Sequence, residues 1–290
     1  MLETYVLHIT KECNMACRYC YETDKTSIYE WDEIKVILDN IIKHNDHFNL
    51  EFLGGEPCLR IDLIRNVVEY LSAINHINVE QFHITTNGTI INDDLISLMK
   101  KYENVNYTTS MDGTPLMNCL RIMKTGYNSH DIAVENLKVM LKEFDSETIS
   151  IHMVTHPFNI GYYNEGITHL YDIGIRSFGI GTIESTIIID EDYCSTFIKQ
   201  NKILSDRIKR GELPGIRIGL FESLKPKSDS RHYIKDKTGR TLLETYGRKE
   251  DDIKDSDEYK TPPAGSPLGD MIYKIRETVY NYHNGTKYDY

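Results

Sequence analysis

No run of about eighteen consecutive apolar residues occurs in the 290-residue chain, so the sequence offers no membrane-spanning helix. A secretory leader is lacking too: residues 1–12 carry Glu3, Lys11 and Glu12 around a short strand-like run, Thr4-Tyr5-Val6-Leu7-His8-Ile9. These two absences predict a cytoplasmic protein with no membrane partner. Positive charge is in deficit, with 33 Lys and Arg against 44 Asp and Glu, and the formal net charge of −11 disfavours a broad nucleic-acid footprint. Six cysteines in a chain this long do not make a secreted disulfide scaffold. No internal repeat is evident. Apolar content of 40% and charged content of 27% fit an ordinary globular chain, long enough for one large α/β domain or two smaller ones.

What the chain does hold is a cluster of thiols. Cys13, Cys17 and Cys20 are spaced C-x3-C-x2-C directly after the first apolar run, whereas Cys58, Cys119 and Cys194 are scattered. Three thiolates this close wrap one face of a compact metal centre and leave a coordination position open. A structural zinc takes four protein ligands, while an iron–sulfur cubane accepts three and keeps one iron free for a small molecule. The spacing therefore points to chemistry at an open iron. The competing reading is a non-catalytic zinc protein completed by a histidine, with His8 the nearest candidate.

Apolar, β-branched runs recur along the chain, each followed by a turn and most by a segment of helical periodicity. Six runs end near Thr10, Leu53, Thr85, Thr109, Val154 and Phe178. Helical patterns cover Trp31–Ile42, Leu59–Leu71, Asp93–Tyr102 and Ala133–Phe144. Strands alternating with helices imply parallel βα units whose functional loops lie at the carboxyl ends of the strands. The chemistry-bearing motifs occupy those ends: the cysteine loop, Gly54-Gly55-Glu56-Pro57, Asn87-Gly88, Ser110-Met111-Asp112-Gly113 and Gly179-Ile180-Gly181. The expected fold is α/β, a partial (β/α)6 TIM-like barrel over residues 1–211 with a small α+β extension over 212–290. Beyond about residue 185 the repeating pattern breaks: Asp190–Lys209 reads as a helix, Ile216–Phe221 as one more strand, and His232–Asp236 and Thr241–Tyr246 as a hairpin around Gly239. Arg248–Glu258 is a charge run, and Leu268–Tyr282 reads as a closing amphipathic helix.

The conjunction of Cys13-x3-Cys17-x-Tyr19-Cys20 with Gly54-Gly55-Glu56-Pro57 resembles the radical S-adenosylmethionine superfamily, over about residues 4–185. Asn87-Gly88, Ser110-Met111-Asp112-Gly113 and Arg121 resemble more narrowly its anaerobic sulfatase-maturating and peptide-modifying branch. The resemblance implies that Cys13, Cys17 and Cys20 hold a [4Fe-4S] cluster and that the fourth iron binds S-adenosylmethionine. Cleavage would then give a 5′-deoxyadenosyl radical that abstracts hydrogen from a peptide or protein substrate, fed by a reducing partner such as flavodoxin or ferredoxin. A small molecule or nucleotide is the alternative substrate. Gly54 and Gly55 would let backbone approach the ligand closely, Glu56 would accept its ammonium group, and Pro57 would stiffen the turn. Ser110 and Arg121 would bind its ribose or carboxylate. Tyr19 supplies the motif's aromatic residue, Asn87 and Asp112 stand beside the ligand or hold their loops, and Ile180 and Gly181 would flank the adenine.

Two departures from that branch matter. The segment from Ser110 to Arg121 is a residue short, with Asn118-Cys119 where His-Asp is common. No cysteine follows Cys194, so the extension resembles a SPASM domain without its auxiliary-cluster ligands, and a single cluster is expected. No residue identifies itself as a proton or hydrogen donor.

Overall fold

The computed structural model describes residues 2–20, 22, 25–183, 189–222, 231–235, 241–246 and 267–285. Seven strands, β1 (Glu3–Thr10), β2 (His47–Gly54), β3 (Asn78–Thr86), β4 (Val105–Ser110), β5 (Ile149–Thr155), β6 (Ser177–Thr182) and β7 (Arg217–Ile218), run parallel and alternate with helices. The α/β class expected from the periodicity is the class adopted. The chain divides into two compact units, and β4 starts in one and ends in the other.

The first unit comprises Met1–Asn14, Glu22–Thr108 and Asp229–Tyr259, with strand order β8-β9-β1-β2-β3-β4. Its helices are α1 (Trp31–His44), α2 (Ile61–Ser72) and α3 (Asp93–Lys101). Along β2, Phe48, Leu50 and Phe52 are fully buried and alternate with half-buried Asn49, Glu51 and Leu53, the period-two pattern of a strand with unlike faces. Ile34, Ile37, Leu38 and Ile41 line one side of α1, and Leu63, Ile64, Val67, Val68 and Leu71 one side of α2. Burying each such side chain contributes about 1.5–3 kcal/mol, which is why these helices form where the 3.6-residue period places them. The hairpin is formed by β8 (Arg231–Lys235) and β9 (Thr241–Tyr246), and β9 pairs antiparallel with β1. Its turn and the Arg248–Glu258 charge run lie outside the described residues.

The second unit comprises Met15–Tyr21, Thr109–Ser228 and Lys260–Tyr290, with strand order β4-β5-β6-β7. It holds α4 (His130–Glu143), α5 (Tyr163–Ile173), α6 (Glu191–Lys209), α7 (Gly219–Glu222) and α8 (Pro267–Asn284). Three features differ from the sequence reading. Helix α5 was not legible, because Gly166 interrupts its pattern; a Cβ there would lie 2.6 Å from the Met117 sulfur, so the glycine gives Met117 its place against the helix. Gly179, Ile180 and Gly181 belong to β6 itself rather than to a turn after it. The strand expected over Ile216–Phe221 shrinks to Arg217–Ile218, because Phe221 turns helical and stacks on His283 at a ring separation of 4.3 Å. Among the described residues no helix is long and apolar enough to cross a membrane.

Candidate metal and cofactor site

In the first unit the end of β1 lies against the end of β2. Gly55 N–H donates to the Thr10 carbonyl and Glu56 N–H to the Glu12 carbonyl, each at 2.7 Å. A Cβ on Gly54 would sit 2.0 Å from the Thr10 oxygen and one on Gly55 2.2 Å from the Glu12 oxygen. Only glycine fits either place, and Gly54 also has φ +133°. The chain's own cysteine loop thus approaches both glycines closely.

Glu56 is fully buried and caps the 3-10 turn Pro57–Arg60, of which buried Pro57 is the first residue. Its Oε1 accepts from Cys58 N–H at 3.0 Å and from the Thr86 hydroxyl at 2.6 Å, and its Oε2 accepts from Asn87 N–H at 2.7 Å. Burial raises this carboxyl above the ordinary range while the three donors oppose the shift. The carboxylate ties the end of β2 to the end of β3. Of these three bonds only one falls on Oε2, which leaves that oxygen acceptor capacity for a further donor. Asn87 Nδ2–H donates to Asn14 Oδ1 at 2.8 Å and to Cys13 Sγ at 3.8 Å, while its Oδ1 accepts from Thr89 N–H and the Thr89 hydroxyl. It therefore caps its turn and touches a candidate ligand at once. Burial, with the Glu56 carboxylate adding, pushes the Cys58 thiol well above its ordinary pKa, an unreactive state.

In the second unit the rest of the cysteine loop pairs antiparallel with residues 120–123. Met15 bridges Met123, Ala16 N–H donates to the Ile122 carbonyl at 2.7 Å, and Arg18 N–H to the Leu120 carbonyl at 2.9 Å. That register sets Cys17 across from Arg121. Asp112, after β4, is the hub behind them. Its Oδ1 accepts from Arg121 Nε at 3.0 Å and from Val154 N–H at 3.1 Å, and its Oδ2 accepts from the Tyr19 hydroxyl at 2.5 Å. The Arg121 guanidinium lies 5.2 Å from the centre of the Tyr19 ring. Asn118 Oδ1 accepts from Asp112 N–H at 3.1 Å, so the residue that departs from the branch pattern holds the loop. Burial disfavours the Arg121 charge, but the Asp112 carboxylate, with Tyr19 and Cys17 adding, outweighs burial and holds the guanidinium protonated. Burial also pushes the Tyr19 phenol well above its ordinary pKa. His156 is buried beside Tyr19 at a ring separation of 6.0 Å, and its Nδ1 accepts from Phe158 N–H. Ser110 is half-buried at the end of β4. On β6, a Cβ at Gly181 would come within 3.0 Å of His152 Nε2, and Ile180 is half-buried.

The structure gathers the predicted residues in two groups, Cys13 with Gly54, Gly55, Glu56, Pro57 and Asn87, and Cys17 with Tyr19, Asp112 and Arg121. Thr86, Asn14 and Val154, which join these networks, carry no sequence signal of their own, and Asn118 is marked only as a departure from the branch pattern. None of Cys13, Cys17 and Cys20 is in a disulfide. Among the described residues no three His, Cys, Asp or Glu side chains converge as a single-ion site. A cubane distributes its ligands over separate irons, and the soft donor set, with an amide donor on Cys13 Sγ, fits it.

Comparison with known proteins gives three relevant likenesses. The chain is 30% identical over 176 residues to uncharacterized protein MJ0907 of Methanocaldococcus jannaschii, covering 59% of each. It is 24% identical over 215 residues to a GTP 3',8-cyclase of Clostridium perfringens, covering 69% of this chain and 63% of that one. It shares its fold with native anSMEcpe with bound AdoMet and Cp18Cys peptide, at TM-score 0.66 and 16% identity, covering 76% of this chain and 63% of the other. The chain thus spans less than two thirds of the length of the relatives it matches. Residues 7–165, more than half of its length and the part that carries every cysteine and glycine motif up to Arg121, match the Radical SAM superfamily, and the chain belongs to that family of enzymes.

Proposed function

We propose that Cys13, Cys17 and Cys20 hold one [4Fe-4S] cluster that binds S-adenosylmethionine, and that the enzyme abstracts hydrogen from a peptide or protein substrate. The observation that carries the proposal is the fixed loop: Thr10 and Glu12, just before Cys13, are bonded to the Gly55-Glu56 turn, and Ala16 and Arg18, which bracket Cys17, to residues 120–122. When bound, the cluster and S-adenosylmethionine supply a 5′-deoxyadenosyl radical. The chain's own residues position them. Asn87 Nδ2–H withdraws charge from Cys13 Sγ, and Gly54 and Gly55 admit the loop to its place. Ser110 offers its hydroxyl to the ribose or carboxylate, and Ile180 and Gly181 border the adenine. Tyr19, Asp112 and Arg121 support the loop from behind, and Pro57 sets the turn that Glu56 braces. Residues 212–290 serve as the extension to the catalytic part, residues 1–211, without a second cluster. A flavodoxin or ferredoxin would deliver the electron.

The peptide-bound structure that shares this fold supports a peptide substrate. The GTP 3',8-cyclase likeness supports a second reading, in which the substrate is a nucleotide or other small molecule. Anaerobic reconstitution with iron and sulfide, followed by dithionite and S-adenosylmethionine, tests the core of the proposal. About four irons per chain and 5′-deoxyadenosine that disappears in Cys17→Ala are expected. About eight irons would overturn the single cluster, and 5′-deoxyadenosine from Cys17→Ala would overturn the ligand assignment. Deuterium transferred to 5′-deoxyadenosine from labelled peptides, but not from labelled nucleotides, decides between the two substrates.

A further inference from the structure

A buried guanidinium across a strand pair from Cys17, a candidate cluster ligand, has a consequence beyond the ligand contact that the family resemblance implies for Arg121. Arg121 faces Cys17 through the register fixed by Met15–Met123, Ala16–Ile122 and Arg18–Leu120. It is only 6% exposed, its partner Asp112 is fully buried, and the two are joined at 3.0 Å. Cross-strand neighbours have their Cβ atoms about 5 Å apart, so the charge pair belongs to the immediate surroundings of the cluster. Asp112 in turn holds the Tyr19 hydroxyl, and Tyr19 lies between Cys17 and Cys20 in the loop.

We infer that Arg121 and Asp112 form an electrostatic positioning pair that sets the reduction potential of the cluster, Arg121 favouring the reduced state and Asp112 offsetting it. The inference rests on the assignment of Cys17 as a cluster ligand. Reduction adds one negative charge to the cluster. A fixed positive charge beside Cys17 stabilises that added charge, and the buried carboxylate paired with the guanidinium trims the effect. Low local dielectric makes each charge count more than it would at the surface. Asp112 also anchors Tyr19, so the same pair that sets the field holds the loop at a fixed distance from it.

The test is a dithionite titration of the anaerobically reconstituted full chain, followed by electron paramagnetic resonance, with iron and sulfide content measured in parallel. Arg121→Gln is expected to shift the reduction equilibrium about tenfold toward the oxidised cluster, 59 mV for a one-electron couple. Asp112→Asn is expected to shift it in the opposite direction, and Arg121→Lys, which keeps the charge, to stay within about threefold of the native chain. Opposite signs from the two halves of one salt bridge cannot come from loosened packing, which would move both variants alike. Arg121→Gln that loads iron normally and titrates like the native chain overturns the inference while leaving the cluster assignment intact. Loss of the cluster from both Arg121→Gln and Arg121→Lys also overturns it, by reducing Arg121 to a packing role. A native chain that takes up no iron and sulfide overturns the cluster assignment, and the inference falls with it.

Discussion

Gly55 is where a single hydrogen atom decides whether the cysteine loop can close. A methyl group there would lie 2.2 Å from the Glu12 oxygen and 2.4 Å from that of Lys11, both backbone atoms with little freedom to move. Gly55→Ala is expected to destabilise the protein by at least about 2 kcal/mol and to depress iron incorporation. Gly161→Ala is the matched control, since a Cβ there meets nothing within 4 Å, and it should stay within about 0.5 kcal/mol of the native chain. Urea unfolding and iron analysis on the two variants check both statements. Glu56 shows the complementary case, a charge expected to meet a ligand; its carboxylate also accepts from Cys58, Thr86 and Asn87.

At the scale of elements, the start of α3 is a place where side-chain chemistry and periodicity agree. Asn92 caps α3 by accepting from Leu95 N–H at 2.9 Å, and acidic Asp93 and Asp94 follow it in the first turn. Asn92→Ala is expected to lower stability by about 1 kcal/mol, measured as a shift in the urea midpoint without a change in slope. Such local signals explain how much of the fold was legible beforehand: β1 to β6, α1 to α4, α6, α8 and the β8–β9 hairpin all announce themselves through period, caps or turn residues. What stayed hidden depended on distant partners. Helix α5 tolerates Gly166 because of Met117, and β7 stops early because Phe221 meets His283. The cysteine and glycine motifs were legible because their spacing is local. The Asp112 hub was not, because nothing in residues 110–121 shows that Tyr19 and the Val154 N–H converge on one carboxylate.

For the whole molecule, the histidines fix how stability responds to acid. Burial lowers the pKa of His169, with neighbouring His130 adding, and burial lowers that of His283, with Lys209 adding. Between these depressed values and the ordinary unfolded value near about 6.5, the unfolded chain binds more protons. Stability therefore rises with pH across that window, and the contribution is lost as pH falls through it. The urea midpoint should be higher at about pH 7.5 than at about pH 5.5, and His169→Asn should narrow the gap; an unchanged gap would remove His169 from the explanation. The pairing of Gly55 and Glu56 with Thr10 and Glu12 has a consequence for inheritance. Two stretches more than forty positions apart in sequence are one fitted joint, so a relative's cysteine loop could be grafted onto this chain only together with its own glycine turn, and the pair should travel through descent as a single trait.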